Sequence, residues 1–177
     1  MAESSSLAPD YLARLRELHR ALGIPPTYAE TRQLARQEEA AQEELVEIGA
    51  NPDGRMLHLI GPAARAWRSM QAAAGEAGVP LVAVSGFRSV ARQTEIIQRK
   101  LNEGKAIADI LRYVAAPGFS EHHTGRALDI GTPGFVDLEE NFETTAAFEW
   151  LQREAGRFGF TLSYPRGGTS GIGYEPW

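Results

Sequence analysis

The stretch Ser120-Glu121-His122-His123-Thr124-Gly125-Arg126-Ala127-Leu128-Asp129-Ile130 constrains this chain more than any other. It gathers two imidazoles, a glycine and a carboxylate at the end of a short apolar run. Imidazole and carboxylate together suit a borderline ion such as zinc. His122 and Asp129 are seven positions apart, and a straight strand would separate them by about 23 Å. To share an ion the chain must double back, and Gly125 is the residue best able to turn it. Beyond the turn, Arg126, Leu128 and Ile130 point to one face of a strand. Gly125, Ala127 and Asp129 point to the other, where small neighbours leave room beside the carboxylate.

The rest of the chain reads as helices interleaved with short strands. Leu12, Leu15, Leu18 and Leu22 give residues 8–22 a helical stripe, closed by Gly23 and Pro25-Pro26. Residues 28–47 read as a second, highly charged helix whose Glu38, Glu39, Glu43 and Glu44 form a solvated face. Asn51-Pro52-Asp53-Gly54 is a turn and 56–60 a short strand. Pro62 opens a helix with Ala63, Ala66, Trp67, Met70, Ala74 and Ala77 on its apolar side, stopped by Gly78. Residues 79–84 make an apolar strand, and a helix bearing Val90, Thr94, Ile97 and Leu101 follows. A further helical piece falls within 105–121. Thr144 or Thr145 caps a helix with Ala147, Leu151, Ala155 and Phe158 inside, and 160–164 reads as a strand. The expected fold is α+β: a small antiparallel sheet bearing the site, flanked by helices. Residues 1–54 form a helical extension and 55–177 the core domain.

Composition narrows the function. A formal charge of −5 without a Lys or Arg block argues against nucleic acid as the main partner. The absence of cysteine rules out disulfides, thiolate ligands and a cysteine nucleophile. No apolar run approaches a bilayer span. Met1 to Leu7 lacks both the basic and the apolar region of an export signal, which leaves the compartment open between cytoplasm and cell envelope.

Taken singly, the candidate residues each have a bland reading. A lone histidine is ordinarily structural, Asp129 can serve the turn before Gly131, Arg88 can be a surface arginine, and Glu175 an exposed terminal glutamate. Their order along the chain says more. His122-x-x-Gly125-x-Ala127-x-Asp129, preceded by Pro117-Gly118-Phe119-Ser120-Glu121, resembles the metal-binding segment of the VanY-type zinc D-alanyl-D-alanine carboxypeptidases. Upstream, Ser85-Gly86-Phe87-Arg88-Ser89 with Gln93 also matches. Downstream, Tyr164-Pro165 through Tyr174-Glu175-Pro176-Trp177 does too. The resemblance covers roughly residues 55–177.

That resemblance implies a Zn2+ ion held by His122 and Asp129, with Glu175 as general base and Arg88 stabilising the oxyanion. It implies that Ser120 and Gln93 shape the site or hold substrate, and that the partner is a peptidoglycan stem peptide or its D-Ala-D-Ala terminus. The family pattern runs Glu-Pro-Trp-His, and its histidine is the third ligand. This chain stops at Trp177, so the expectation is a polypeptide cut short before that ligand, which binds zinc weakly. His123 is expected to be a wall or surface residue, and His19 and His58 structural. D,D-carboxypeptidase, L,D-carboxypeptidase and endopeptidase specificities share this apparatus, and the oligomeric state stays open. The alternative is a non-catalytic wall-peptide binding module on the same fold.

Overall fold

The computed structural model describes residues 8–177. The leading residues 1–7, read above as lacking an export signal, lie outside the described residues. Helix α1 (Pro9–Ala21) begins with proline in its first turn, where the missing N–H costs nothing, and buries Leu15. A single short helix, α2 (Tyr28–Arg32), follows and stops at Gln33 in a left-handed conformation.

Here the structure departs from the expected 28–47 helix. Past α2 the chain runs without helix or strand to residue 41, makes a short 3-10 turn at Gln42–Glu44, and enters strand β1 (Leu45–Ala50). The physical reason is the lack of an apolar stripe between Gln37 and Glu44. Helices in proteins are held mainly by such a stripe, whereas an extended segment can satisfy its peptide groups on neighbours. Gln37 N–H donates to Gly118 O at 2.8 Å and Ala40 N–H to His123 O at 2.8 Å.

Strand β1 pairs antiparallel with β2 (Met56–Ile60) through the expected Asn51–Gly54 turn. Helix α3 (Gly61–Glu76) places Trp67, Met70 and Ala74 in the core. Strand β3 (Val82–Ser85) pairs antiparallel with β4 (Asp129–Gly131), so the small sheet consists of two separate strand pairs. Backbone bonds from Phe87 N–H to His58 O and from Ile60 N–H to Gly125 O tie the two pairs together. Helix α4 (Val90–Asn102) is capped by the Ser89 hydroxyl, which accepts from Arg92 N–H. A short helix α5 (Ile107–Ile110) follows, and α6 (Ala146–Glu154) is capped by Thr145.

The inner face of α6 holds Ala147, as expected, but its largest buried residue is Trp150, which the spacing analysis passed over. Residues 160–164 form no strand. Their anchor is Tyr164 O, which accepts from Glu175 N–H at 3.0 Å, so the segment joins the terminal motif rather than a sheet.

The core consists of two apolar clusters. One joins β2, α3, β3, β4 and α6 around Leu59, Trp67, Met70 and Phe142. The other joins Leu22, Ile24 and Tyr28 to Ile97, Ile110, Ala116 and Phe119. Among the described residues, no helix is long and apolar enough to cross a membrane.

Candidate active site

Asp129 opens β4 directly opposite Ser85, the last residue of β3. The ladder shifts register between Ala83 and Ser85. Such a bulge bends the strand and re-aims the side chains beside it. Asp129 is buried, and burial pushes its carboxyl pKa up. His122, Arg88 and Ser85 more than offset that and hold it below the ordinary carboxylate range.

The turn predicted at glycine is present. Residues Glu121–Thr124 make one 3-10 turn that ends at Gly125, whose φ is 65°. A Cβ on Gly125 would stand 2.9 Å from Ile60 Cγ2 and 3.2 Å from Ile60 N, so both its conformation and its space require glycine. By this turn His122 Nε2 comes to 3.2 Å from Asp129 Oδ1.

The two histidines have different tasks. His123 is fully buried, which removes the surface alternative. Gly118 N–H donates to its Nε2 at 3.1 Å, so the ring proton is on Nδ1 and is donated to Arg88 O at 2.6 Å. Burial lowers its pKa and keeps the ring neutral. His123 is thus a structural pin within the turn. His122 Nδ1 lies 2.7 Å from Gly86 O, an acceptor only, so that nitrogen carries a proton and Nε2 is the one turned toward Asp129.

Arg88 leaves the β3–α4 connection with its guanidinium held on two sides. Nη1 donates to Gln93 Oε1 at 3.1 Å, Nη2 to Ser85 Oγ at 3.0 Å, and Nη2 lies 3.8 Å from Asp129 Oδ2. Burial lowers its pKa, with Asp129 and Glu175 pulling the other way. Gln93 is buried and donates its amide to Ala115 O at 2.6 Å. Both ends of that amide are engaged within the protein.

Glu175 reaches the site on extended chain, as Pro176 requires. Its pKa is pushed up to about 8, chiefly by burial, then by the Asp129 charge; Arg88 pulls it down and Glu121 pushes it up. A carboxyl that titrates near neutrality can both take and return a proton. Its neighbour Tyr174 donates to Glu143 Oε2 at 2.7 Å, while the Arg166 guanidinium sits 4.1 Å above the Tyr174 ring and bonds Glu143 Oε1 at 2.7 Å. That latch holds the terminal motif against the 3-10 turn at Glu140–Thr144. Sequence reasoning missed it, as it missed Ser163, whose hydroxyl donates to Glu121 Oε2 at 2.5 Å. Arg88, Ser120, His122, Asp129, Tyr164 and Glu175 open onto one cleft of about 1170 Å³.

The other two histidines stay structural. His19 Nε2 donates to Pro117 O at 2.7 Å, and the ring lies beside Phe119. His58 contributes its backbone carbonyl to Phe87 N–H.

The donor chemistry fits a cation. Nε2 of His122 and Oδ1 of Asp129 face each other at 3.2 Å, a separation that calls for a positive species shared between them. A proton can fill that role, and so can a divalent ion for which imidazole and carboxylate are the natural ligands. The Gly86 carbonyl supplies the outer hydrogen bond that orients a metal-ligating histidine. Among the described residues, no group of three or more His, Cys, Asp or Glu side chains gathers around one point. Among the described residues the candidate donors at this point are two, where a catalytic zinc ordinarily takes three.

The family model for VanY, D-alanyl-D-alanine carboxypeptidase, matches residues 57–177. This chain belongs to that family. YodJ of Bacillus subtilis (strain 168) is 41% identical over 120 residues, covering 65% of this chain and 43% of YodJ. The solved LdcB LD-carboxypeptidase superposes with a TM-score of 0.71 at 33% identity, covering 81% of this chain and 72% of that one. The D,D-pentapeptidase VanY of a VanB-type resistance cassette, solved in complex with Zn(II), gives a TM-score of 0.61 at 27% identity, covering 83% and 85%. The chain spans about two-fifths of the length of the first curated relatives it matches. The matched region holds Arg88, Gln93, Ser120, His122, Asp129 and Glu175, and the α1–β1 segment lies outside it.

Proposed function

We propose that this chain carries the site of a zinc-dependent peptidase that hydrolyses the bond next to a D-amino acid in a peptidoglycan stem peptide. The observation that carries the proposal is the His122–Asp129 pair, an imidazole nitrogen and a carboxylate oxygen 3.2 Å apart beside a held arginine and a high-pKa carboxyl. The family description and the carboxypeptidase and pentapeptidase names of its relatives support the substrate class.

In this reading His122 and Asp129 hold the ion. When bound, zinc supplies Lewis acidity that polarises the scissile carbonyl and eases deprotonation of water. Arg88 sits where negative charge develops on the carbonyl oxygen. Because Ser85 and Gln93 already fix its guanidinium, it loses little freedom at the moment of reaction. Glu175 takes a proton from the attacking water and returns it to the leaving amine. Ser120, buried at the cleft wall, offers its hydroxyl to the substrate. Gln93 acts by holding Arg88.

The test is mass spectrometry of a stem pentapeptide ending in D-Ala-D-Ala, and of a tetrapeptide, incubated with the zinc-treated chain. Loss of one alanine that a chelator stops, and that His122→Ala and Asp129→Ala abolish, supports the peptidase. The second reading is a non-catalytic wall-peptide binding module on the same fold. Intact peptide that still shifts the NMR signals of Arg88 and Ser120 decides for that module.

A further inference from the structure

The turn that presents His122 is gripped from behind by residues that the family model does not include. Tyr28 OH accepts from Ala116 N–H at 3.1 Å, and His19 donates to Pro117 O. Gln37 N–H binds Gly118 O, and Ala40 N–H binds His123 O. Leu15 fills the space at Gly118, where an added Cβ would stand 2.4 Å from Leu15 Cδ1 and where φ is +82°. Phe119 packs edge-on to Tyr28 at 5.3 Å and lies under the Arg36 guanidinium at 5.7 Å. Tyr11 OH in turn donates to Gln37 O at 2.9 Å.

One side chain links this grip to the other half of the site. Glu39 Oε2 accepts from Val90 N–H, the first residue of α4, at 2.6 Å. A carboxylate there satisfies a free helix N–H and meets the positive end of the helix dipole. Helix α4 carries Gln93, which fixes Arg88, and Arg88 O receives the His123 ring proton. The segment therefore bonds to the turn of His122 through Gln37 and Ala40 and, between them, through Glu39 to the helix behind Arg88.

We propose that residues 34–41 are a positioning strap for the site, and that Glu39 is its positioning residue, setting the separation between Arg88 and the His122 turn. The inference rests on the zinc reading only for its affinity readout. It assigns a task to a stretch whose acidic residues, read as sequence, were a solvated helix face.

The experiment compares Glu39→Ala, Glu39→Gln and Thr145→Ala with the parent chain. Thr145→Ala removes the cap of α6, remote from the strap, and controls for simple loss of stability. Below the melting range of every variant, zinc affinity is measured against a chromophoric competitor. Ring 15N signals of His122 and His123 and guanidinium signals of Arg88 are recorded without metal. Glu39→Ala is expected to weaken zinc by about tenfold and to shift all three sets of signals. Glu39→Gln, which keeps an acceptor oxygen, is expected to restore both, and Thr145→Ala to leave both as in the parent.

Site signals and zinc affinity unchanged in Glu39→Ala, or changed equally in Thr145→Ala, overturn the strap. If the parent chain takes up no zinc, the zinc reading fails by itself, and the metal-free signals still decide the strap.

Discussion

Glu175→Gln replaces a carboxyl by an amide of nearly equal shape, so it removes one titration and little packing. In the folded chain that carboxyl holds its proton up to about pH 8, against 4.5 when free. Below about pH 4.5 both states are protonated and its contribution to stability is complete. As the pH rises toward 8 the unfolded chain releases the proton while the folded chain keeps it, so stability is lost. At about 1.36 kcal/mol for each pKa unit, the ceiling is roughly 5 kcal/mol. Local relaxation and partial solvent access bring the expected loss to about 2–3 kcal/mol.

The assay is urea unfolding of both chains in chelator at about pH 5 and about pH 8.5, with the difference between the chains cancelling every other titration. Glu175→Gln should gain on the parent by about 2–3 kcal/mol between the two pH values. A difference that stays flat, or that favours the parent at the higher pH, refutes the reasoning, because Glu175 would then be an ordinary solvated carboxylate.

Three further outcomes follow from the same geometry. Arg88→Lys should lower kcat for D-alanine release by about 10²- to 10³-fold with little change in KM, since an ammonium cannot keep the two-sided hold of Ser85 and Gln93 while facing an oxyanion; a kcat within a few-fold of the parent removes Arg88 from the mechanism. Gly125→Ala should cost about 2 kcal/mol or more in thermal or urea unfolding, from a left-handed φ and the contact with Ile60. Adding a single histidine after Trp177 should raise zinc affinity by about 100-fold or more, as a third donor completes the set; unchanged affinity in a competition titration would mean that the terminal motif does not reach the ion.

Much of the site was legible because its constraints are local. For His122 and Asp129 to meet, a seven-residue spacing needs a turn, Gly125 is the residue that can make it, and the turn is there. The segments with a clear apolar stripe, such as that of Trp67, Met70 and Ala74, formed the helices expected of them. What failed were segments whose conformation is set from outside. Nothing in Gln37 to Glu44 announces that two of its amides and one carboxylate will be taken up by a turn and a helix eighty and fifty residues away. His123 next to His122 could not be assigned by parity, since only the positions of Gly118 N–H and Arg88 O decide its tautomer and its burial. Residues 160–164 carry the composition of a strand, yet Tyr164 bonds to Glu175 instead of a ladder.

The central claim is that one divalent ion sits between an imidazole and a carboxylate that the glycine turn brings together. Anomalous diffraction at the zinc edge from crystals grown with zinc tests it directly. The expected result is a peak bonded to both His122 Nε2 and an Asp129 oxygen, each at about 2.0–2.2 Å. A zinc peak bound elsewhere, or no peak while the two side chains stay in direct contact, would contradict it.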